Sequence, residues 1–138
     1  MSNKDFALGL EVQTKQFAPQ IIRLSATLPR SPEALVIRNQ LTKSGTSVGA
    51  NYREANRSRS KADFNHKIKI CESEASETRY WLELIIAAGW LPKEKTTAAL
   101  KECSELLALF TSISSKKKQS LNFRYFRHFS SLQALQAL

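Results

Sequence analysis

Apolar residues recur at helical spacing through most of the chain, and the residues between them are polar. Phe6, Leu10, Phe17, Ile21, Leu24 and Leu28 form a first stripe, which closes at Leu28-Pro29-Arg30-Ser31-Pro32. Pro19 falls inside this stripe and predicts a kink or a break, because proline lacks the N–H and crowds the preceding turn. Ser31-Pro32 reads as an N-cap followed by a first-turn proline. Ile37, Leu41, Val48, Tyr52 and Ala55 then mark a second helix. Gly45 and Gly49 lie within it, one turn apart, and predict the close approach of another backbone. Asn56-Arg57-Ser58-Arg59-Ser60 is the next break, and Ser60 with Asp63 resembles a capping box. Phe64, Ile68, Cys71, Ala75, Leu82 and Ile85 carry a third helix that stops at Gly89. A second apolar set, Ile70, Trp81 and Leu84, widens its face and predicts contact with two neighbours. After Trp90-Leu91-Pro92, Leu100, Cys103, Leu107, Phe110 and Ile113 line a fourth helix, with Pro92 suited to its first turn.

Four amphipathic helices with short joints predict an all-α, antiparallel up-down four-helix bundle over residues 1–115. Residues 116–138 form a basic, aromatic C-terminal tail in which Lys116-Lys117-Lys118 ends the apolar pattern. There Asn122 to Phe129 interleaves bases with aromatic rings, a composition that can hold phosphates and stack on unpaired bases. The plainer reading is a free tail, or an amphipathic segment that docks through Phe126, Phe129, Leu132 and Leu135. The longest uncharged stretch, Leu84 to Pro92, is far short of the ~20 apolar residues of a spanning helix. No basic-then-apolar leader opens the sequence, so a soluble, cytoplasmic protein without membrane attachment is expected.

Charge sharpens the picture. The 138 residues carry 21 Lys and Arg against 12 Asp and Glu, a formal net charge of +9 that favours polyanionic partners. Residues 38–69 hold Arg38, Lys43, Arg53, Arg57, Arg59, Lys61, Lys67 and Lys69 against only Glu54 and Asp63. The tail adds Lys116, Lys117, Lys118, Arg124 and Arg127 with no acid, so the rest of the chain is close to neutral. Arg53, Arg57, Arg59, Lys61, Lys67 and Lys69 cluster around the joint between the second and third helices, and with Arg38 and Lys43 they are the candidate nucleic-acid contacts.

Signs of catalysis are sparse. His66 lies in a polar stretch on the solvated side of the third helix, and His128 lies in the tail. No histidine or cysteine spacing fits a metal site, and no metal or other cofactor is expected. Gly45-Thr46-Ser47-Val48-Gly49 lacks the lysine and the preceding strand of a phosphate-binding loop. Cys71 and Cys103 sit at apolar positions and read as buried, reduced thiols. Ser47, Asn51 and Glu54 form a row on the second helix, for which Lys67, Glu74, Glu77 and Tyr80 on the third can supply partners. The expected role of this row is a polar network that fixes helix register, with no catalytic residues assigned.

The run SGTSVGANYREA (Ser44–Ala55), followed by SKADFNHKIKICESEASETRYWLELI (Ser60–Ile85), resembles the small bacterial four-helix-bundle proteins encoded in intervening sequences of large-subunit ribosomal RNA genes. The features that carry the likeness are Ser47-Val48-x-Ala50-Asn51-x-x-Glu54-Ala55, Asp63-Phe64 with Lys67 and Ile70, and Glu74-Ala75-x-Glu77-Thr78-x-Tyr80-Trp81-Leu82. It covers about residues 6–115 and leaves out the tail. Pro19 and the lack of a tryptophan near the start of the first helix depart from the family pattern. The resemblance implies a four-helix bundle assembled as a ring-shaped homopentamer, and no catalytic residues to carry over. It also implies kinship with the accessory proteins of diversity-generating retroelements, basic pentameric barrels that bind nucleic acid and a reverse transcriptase.

Residues and resemblance together lead to a non-catalytic, oligomeric protein that binds RNA or DNA phosphates with low sequence specificity. The alternative is a ring-shaped structural or adaptor protein with a protein partner.

Overall fold

The computed structural model describes residues 2–115, and the tail with its expected roles lies outside them. Four helices follow one another: α1 (Asn3–Ala26), α2 (Pro32–Ala55), α3 (Lys61–Ala88) and α4 (Lys93–Ser114). Each joint is short, so successive helices run antiparallel. α1 packs along α2, α2 along α3 and α3 along α4, while lighter contact between α1 and α4 closes the bundle.

The starts of α1, α2 and α3 are set by serines. Ser31 Oγ accepts from the Ala34 N–H at 3.2 Å and Ser60 Oγ from the Asp63 N–H at 3.1 Å, each satisfying one of the free donors of a first turn. Asp63 does not complete a box; its carboxylate accepts from Lys67 Nζ at 3.2 Å, one turn along α3. The reciprocal box occurs instead at Ser2 and Asp5, whose side chains accept each other's backbone N–H at 3.1 and 3.3 Å. These bonds hold the Asp5 carboxyl below its ordinary pKa. α3 ends at Gly89, whose φ of 67° places it in the left-handed region that favours glycine. Pro92 caps α4 from outside rather than opening it, so the helix begins at Lys93.

Pro19 neither breaks α1 nor ends it; the helix runs unbroken from Asn3 to Ala26. Pro19 is exposed, and so is Lys15, whose carbonyl would have accepted the missing N–H. A carbonyl on the solvent side of a helix is open to hydration, which lowers the penalty for the lost bond.

Leu10, Phe17, Ile21, Leu41, Val48, Ile68, Leu82, Leu106 and Phe110 fill the core. Tyr52 of α2 meets Phe110 of α4 across it, with ring centroids 5.6 Å apart and planes at 58°. Ile70, Trp81 and Leu84 are half-buried on α3, the helix that packs against both α2 and α4.

Gly45 and Gly49 face α1. A Cβ on Gly45 would stand 2.6 Å from Ile21 Cγ2, and one on Gly49 would stand 3.1 Å from the Thr14 carbonyl oxygen. Thr14 itself is fully buried, its hydroxyl turned back to the Leu10 carbonyl at 2.9 Å. The two glycines therefore set how closely α1 and α2 approach.

Both cysteines are free and fully buried, and Cys103 Sγ lies 3.2 Å from the Ala75 carbonyl. Burial raises each thiol from its ordinary 9.0 to about 12. Burial also raises the Tyr52 hydroxyl.

Two outcomes follow from the core. Gly9 has open space around its α-carbon, so Gly9→Ala should gain about 0.5–1 kcal/mol, the ordinary helix-interior difference. Gly45→Ala should lose about 1–2 kcal/mol net, because Ile21 is buried and stiff and overpacking outweighs the propensity gain. Urea midpoints should rank Gly9→Ala above wild type and wild type above Gly45→Ala; the reverse order for Gly45→Ala would remove the close-approach role. The thiols give the second. An unfolded thiol ionises from pH 9 upward, whereas the folded one holds its proton to about 12. The unfolded state thus binds fewer protons in that window, and stability should be full below pH 9 and fall as pH rises towards 12. A thiol reagent at pH 8 should modify neither cysteine in the folded protein and both in urea.

Candidate nucleic-acid interface

Up-down topology places the end of α2 and the start of α3 at one end of the bundle, joined by Asn56–Ser60. The joint is basic for a local reason. It consists of polar residues too hydrophilic to extend either helix into the core, and three of its flanking and internal positions are arginine. Arg53, Arg57, Arg59 and Lys61 are all exposed there. Arg53 Nε lies 3.9 Å from Glu11 of α1, whose other oxygen accepts from Asn56 Nδ2 at 3.2 Å. With a side chain 60% exposed, Arg53 is a water-screened neighbour of Glu11 and keeps its charge outward. Among the described residues Arg57, Arg59 and Lys61 make no ion pair.

The other four bases stand apart from this group. Lys67 is engaged by Asp63 at 3.2 Å, and the pairing lowers the Asp63 carboxyl. Lys69 lines a cleft between α3 and α4 beside Glu72 and Glu77. Lys43 lies ten residues before Arg53, about 15 Å along α2, and Arg38 lies about 22 Å away. Arg38 is half-buried, and Lys43 stands near Glu74 across α2 and α3. The basic patch is thus the joint itself, narrower than the sequence distribution of charge suggests.

The row on α2 bonds within its own helix. Ser47 Oγ donates to the Lys43 carbonyl at 2.7 Å, and Asn51 Nδ2 donates to the Ser47 carbonyl at 2.8 Å. Glu54 is exposed at the end of α2. On α3, Glu77 and Tyr80 are exposed, and Tyr80 sets its ring edge-on to Trp81 at 5.0 Å. Glu74 is half-buried, and burial with Glu77 nearby raises its carboxyl. The hydroxyl contact that does cross from α2 to α3 is Ser44 with Thr78, 2.9 Å apart and both buried. Ser44 follows Leu41 by three and precedes Val48 by four, so the helical period marks it as a core position despite its hydroxyl. Further cross-helix bonds join Thr42 to Ser25 at 2.8 Å, Gln13 to Glu102 at 3.0 Å and Ser114 to Glu72. Nothing in the sequence pairs these residues.

His66 is exposed on α3, and His128 lies outside the described residues. Among the described residues no group of three or more His, Cys, Asp or Glu is placed to hold a metal ion. None of the described helices is long and apolar enough to cross a membrane.

Residues 10–112 match the family model of the 23S rRNA-intervening sequence protein. Solved structures similar to this chain include a Bacteroides thetaiotaomicron protein of unknown function from the S23 ribosomal protein family. It is 36% identical, with a TM-score of 0.71, over 77% of this chain and 98% of that one. No curated protein matches.

Proposed function

Because this chain belongs to the 23S rRNA-intervening sequence protein family, we propose that it is a non-catalytic nucleic-acid-binding protein that works as a homo-oligomer. The observation that carries this reading is the exposed cluster at the α2–α3 joint, where Arg57, Arg59 and Lys61 present charge with no acidic partner among the described residues. Such a cluster neutralises phosphates and releases counterions, and it carries no base-reading device. RNA and DNA are therefore both ligands by charge, with low sequence specificity.

Oligomerisation is supported by α1. Leu8, Val12 and Ile22 lie on one outward face at helical spacing and are 53%, 55% and 47% exposed, and Leu35 and Val36 are exposed at the start of α2. A symmetric ring, the pentamer implied by the family resemblance, would repeat the basic joint around its axis and raise avidity without any new contact. The same apolar face favours the second reading, an adaptor whose ring binds a protein partner while its charge serves steering.

Binding of labelled RNA and DNA measured across a salt series tests the proposal. The log–log slope should be steep, with each neutralised phosphate adding roughly −0.7 to −0.9. Replacing Arg53, Arg57 and Arg59 together with Ala should flatten the slope by about 2–3 per chain engaged while helical content stays unchanged. An unchanged slope would remove these arginines from the interface, and an oligomer that ignores nucleic acid near physiological salt would favour the adaptor.

A further inference from the structure

The cleft between α3 and α4 differs in character from the basic joint. Lys69, Glu72, Ser73, Ser76, Glu77 and Tyr80 line it from α3 and Leu107 from α4, around an open volume of about 600 Å³. From Lys69 to Tyr80 it extends about 16 Å along α3. Lys69 stands at the end nearest the α2–α3 joint, and the carboxylates Glu72 and Glu77 stand further along. The apolar components are Leu107, half-buried, and the ring of Tyr80, which is 58% exposed.

We propose that this cleft is the docking site of the chain's own C-terminal segment, residues 119–138. Where the chain leaves the bundle is the first reason. Ser114, the last residue of α4, hydrogen-bonds through its hydroxyl to the Glu72 carboxylate on the cleft wall. The segment therefore starts at the cleft, and a handful of residues at about 3.3 Å each spans its full length.

Charge is the second reason. All 12 acids of the protein precede residue 106, and the segment after Ser115 carries five bases and none. Between Glu72 and Glu83 stand four carboxylates and one base, Arg79, which is itself paired with Glu83 at 3.3 Å. Glu72 and Glu77 are thus the acidic wall met first by a chain leaving α4. Arg124 and Arg127 bracket Phe126, so a ring seated against Tyr80 and Leu107 brings guanidinium groups level with these carboxylates. A nucleic-acid strand is repelled by the same wall. This docking does not depend on nucleic-acid binding at the joint.

Photo-cross-linking of the full chain tests it. A benzophenone amino acid is placed at position 126 or 129, and light and heavy isotope forms are mixed unfolded and refolded together. Cross-links should map to peptides containing Lys69–Tyr80 or Leu107 and should join segments of the same isotope. Charge reversal by Glu72→Lys with Glu77→Lys should lower their yield at least five-fold in low salt. Tyr80→Ser, an exposed substitution, should lower it without touching the core. Cross-links confined to other surfaces would overturn the proposal. Light–heavy pairs as frequent as same-isotope pairs would also overturn it by showing that the segment reaches another copy. A yield indifferent to both the charge reversal and Tyr80→Ser would do the same.

Discussion

The separation between α1 and α2 governs the rest of the bundle. Gly45 and Gly49 allow the α2 backbone to come down on the Ile21 side chain and on the Thr14 carbonyl, so along this stretch α2 adds no side chain of its own at either contact. Thr14 fits the same constraint, since its hydroxyl turns back to the Leu10 carbonyl and needs no partner on α2. With α1 pressed close, Phe17 and Ile21 reach the core, and Tyr52 and Phe110 can meet across the centre. The approach also fixes where Glu11 stands. It lies under the α2–α3 joint, near enough to accept from Asn56 and to stand by Arg53 without cancelling the arginines beyond.

Charge is sorted along the molecule in a way that a net figure of +9 conceals. The joint gathers exposed guanidinium groups, whereas the mid-section of α3 carries carboxylates. Lys67 belongs to neither group because Asp63, one turn before it, holds it in a local pair. Similar bases in one stretch of sequence therefore have different availability. Position on the helix decides whether a charge faces an acid or open water.

The helices, their order and their caps at Ser31 and Ser60 were legible because each rests on local rules of period, proline and capping oxygen. The purpose of Gly45 and Gly49 was legible too, since two glycines a turn apart have little other use in a helix interior. The break expected at Pro19 does not occur, because a period does not say which face meets water and this proline lies on the exposed side of a helix held by its neighbour. The row of Ser47 and Asn51 departs from expectation for another reason. Helical hydroxyls and amides can satisfy themselves one turn back, and these two do. Ser44 with Thr78 and Ser114 with Glu72 depend on the register between helices, which no local pattern encodes.

Every helix here packs chiefly on the one that precedes or follows it in the chain, across a joint of a few residues. Such a topology lets the chain fold by successive local pairings, with little loop-closure entropy to overcome before contacts form. It also leaves the two outer helices in a different position from the inner pair. α2 and α3 are each flanked on both sides by strong neighbours, but α1 is held mainly by α2 and α4 mainly by α3, with only light contact between α1 and α4. The outer helices are therefore the units whose detachment costs the least, and the bundle's slowest-opening part is the α2–α3 pair at its centre.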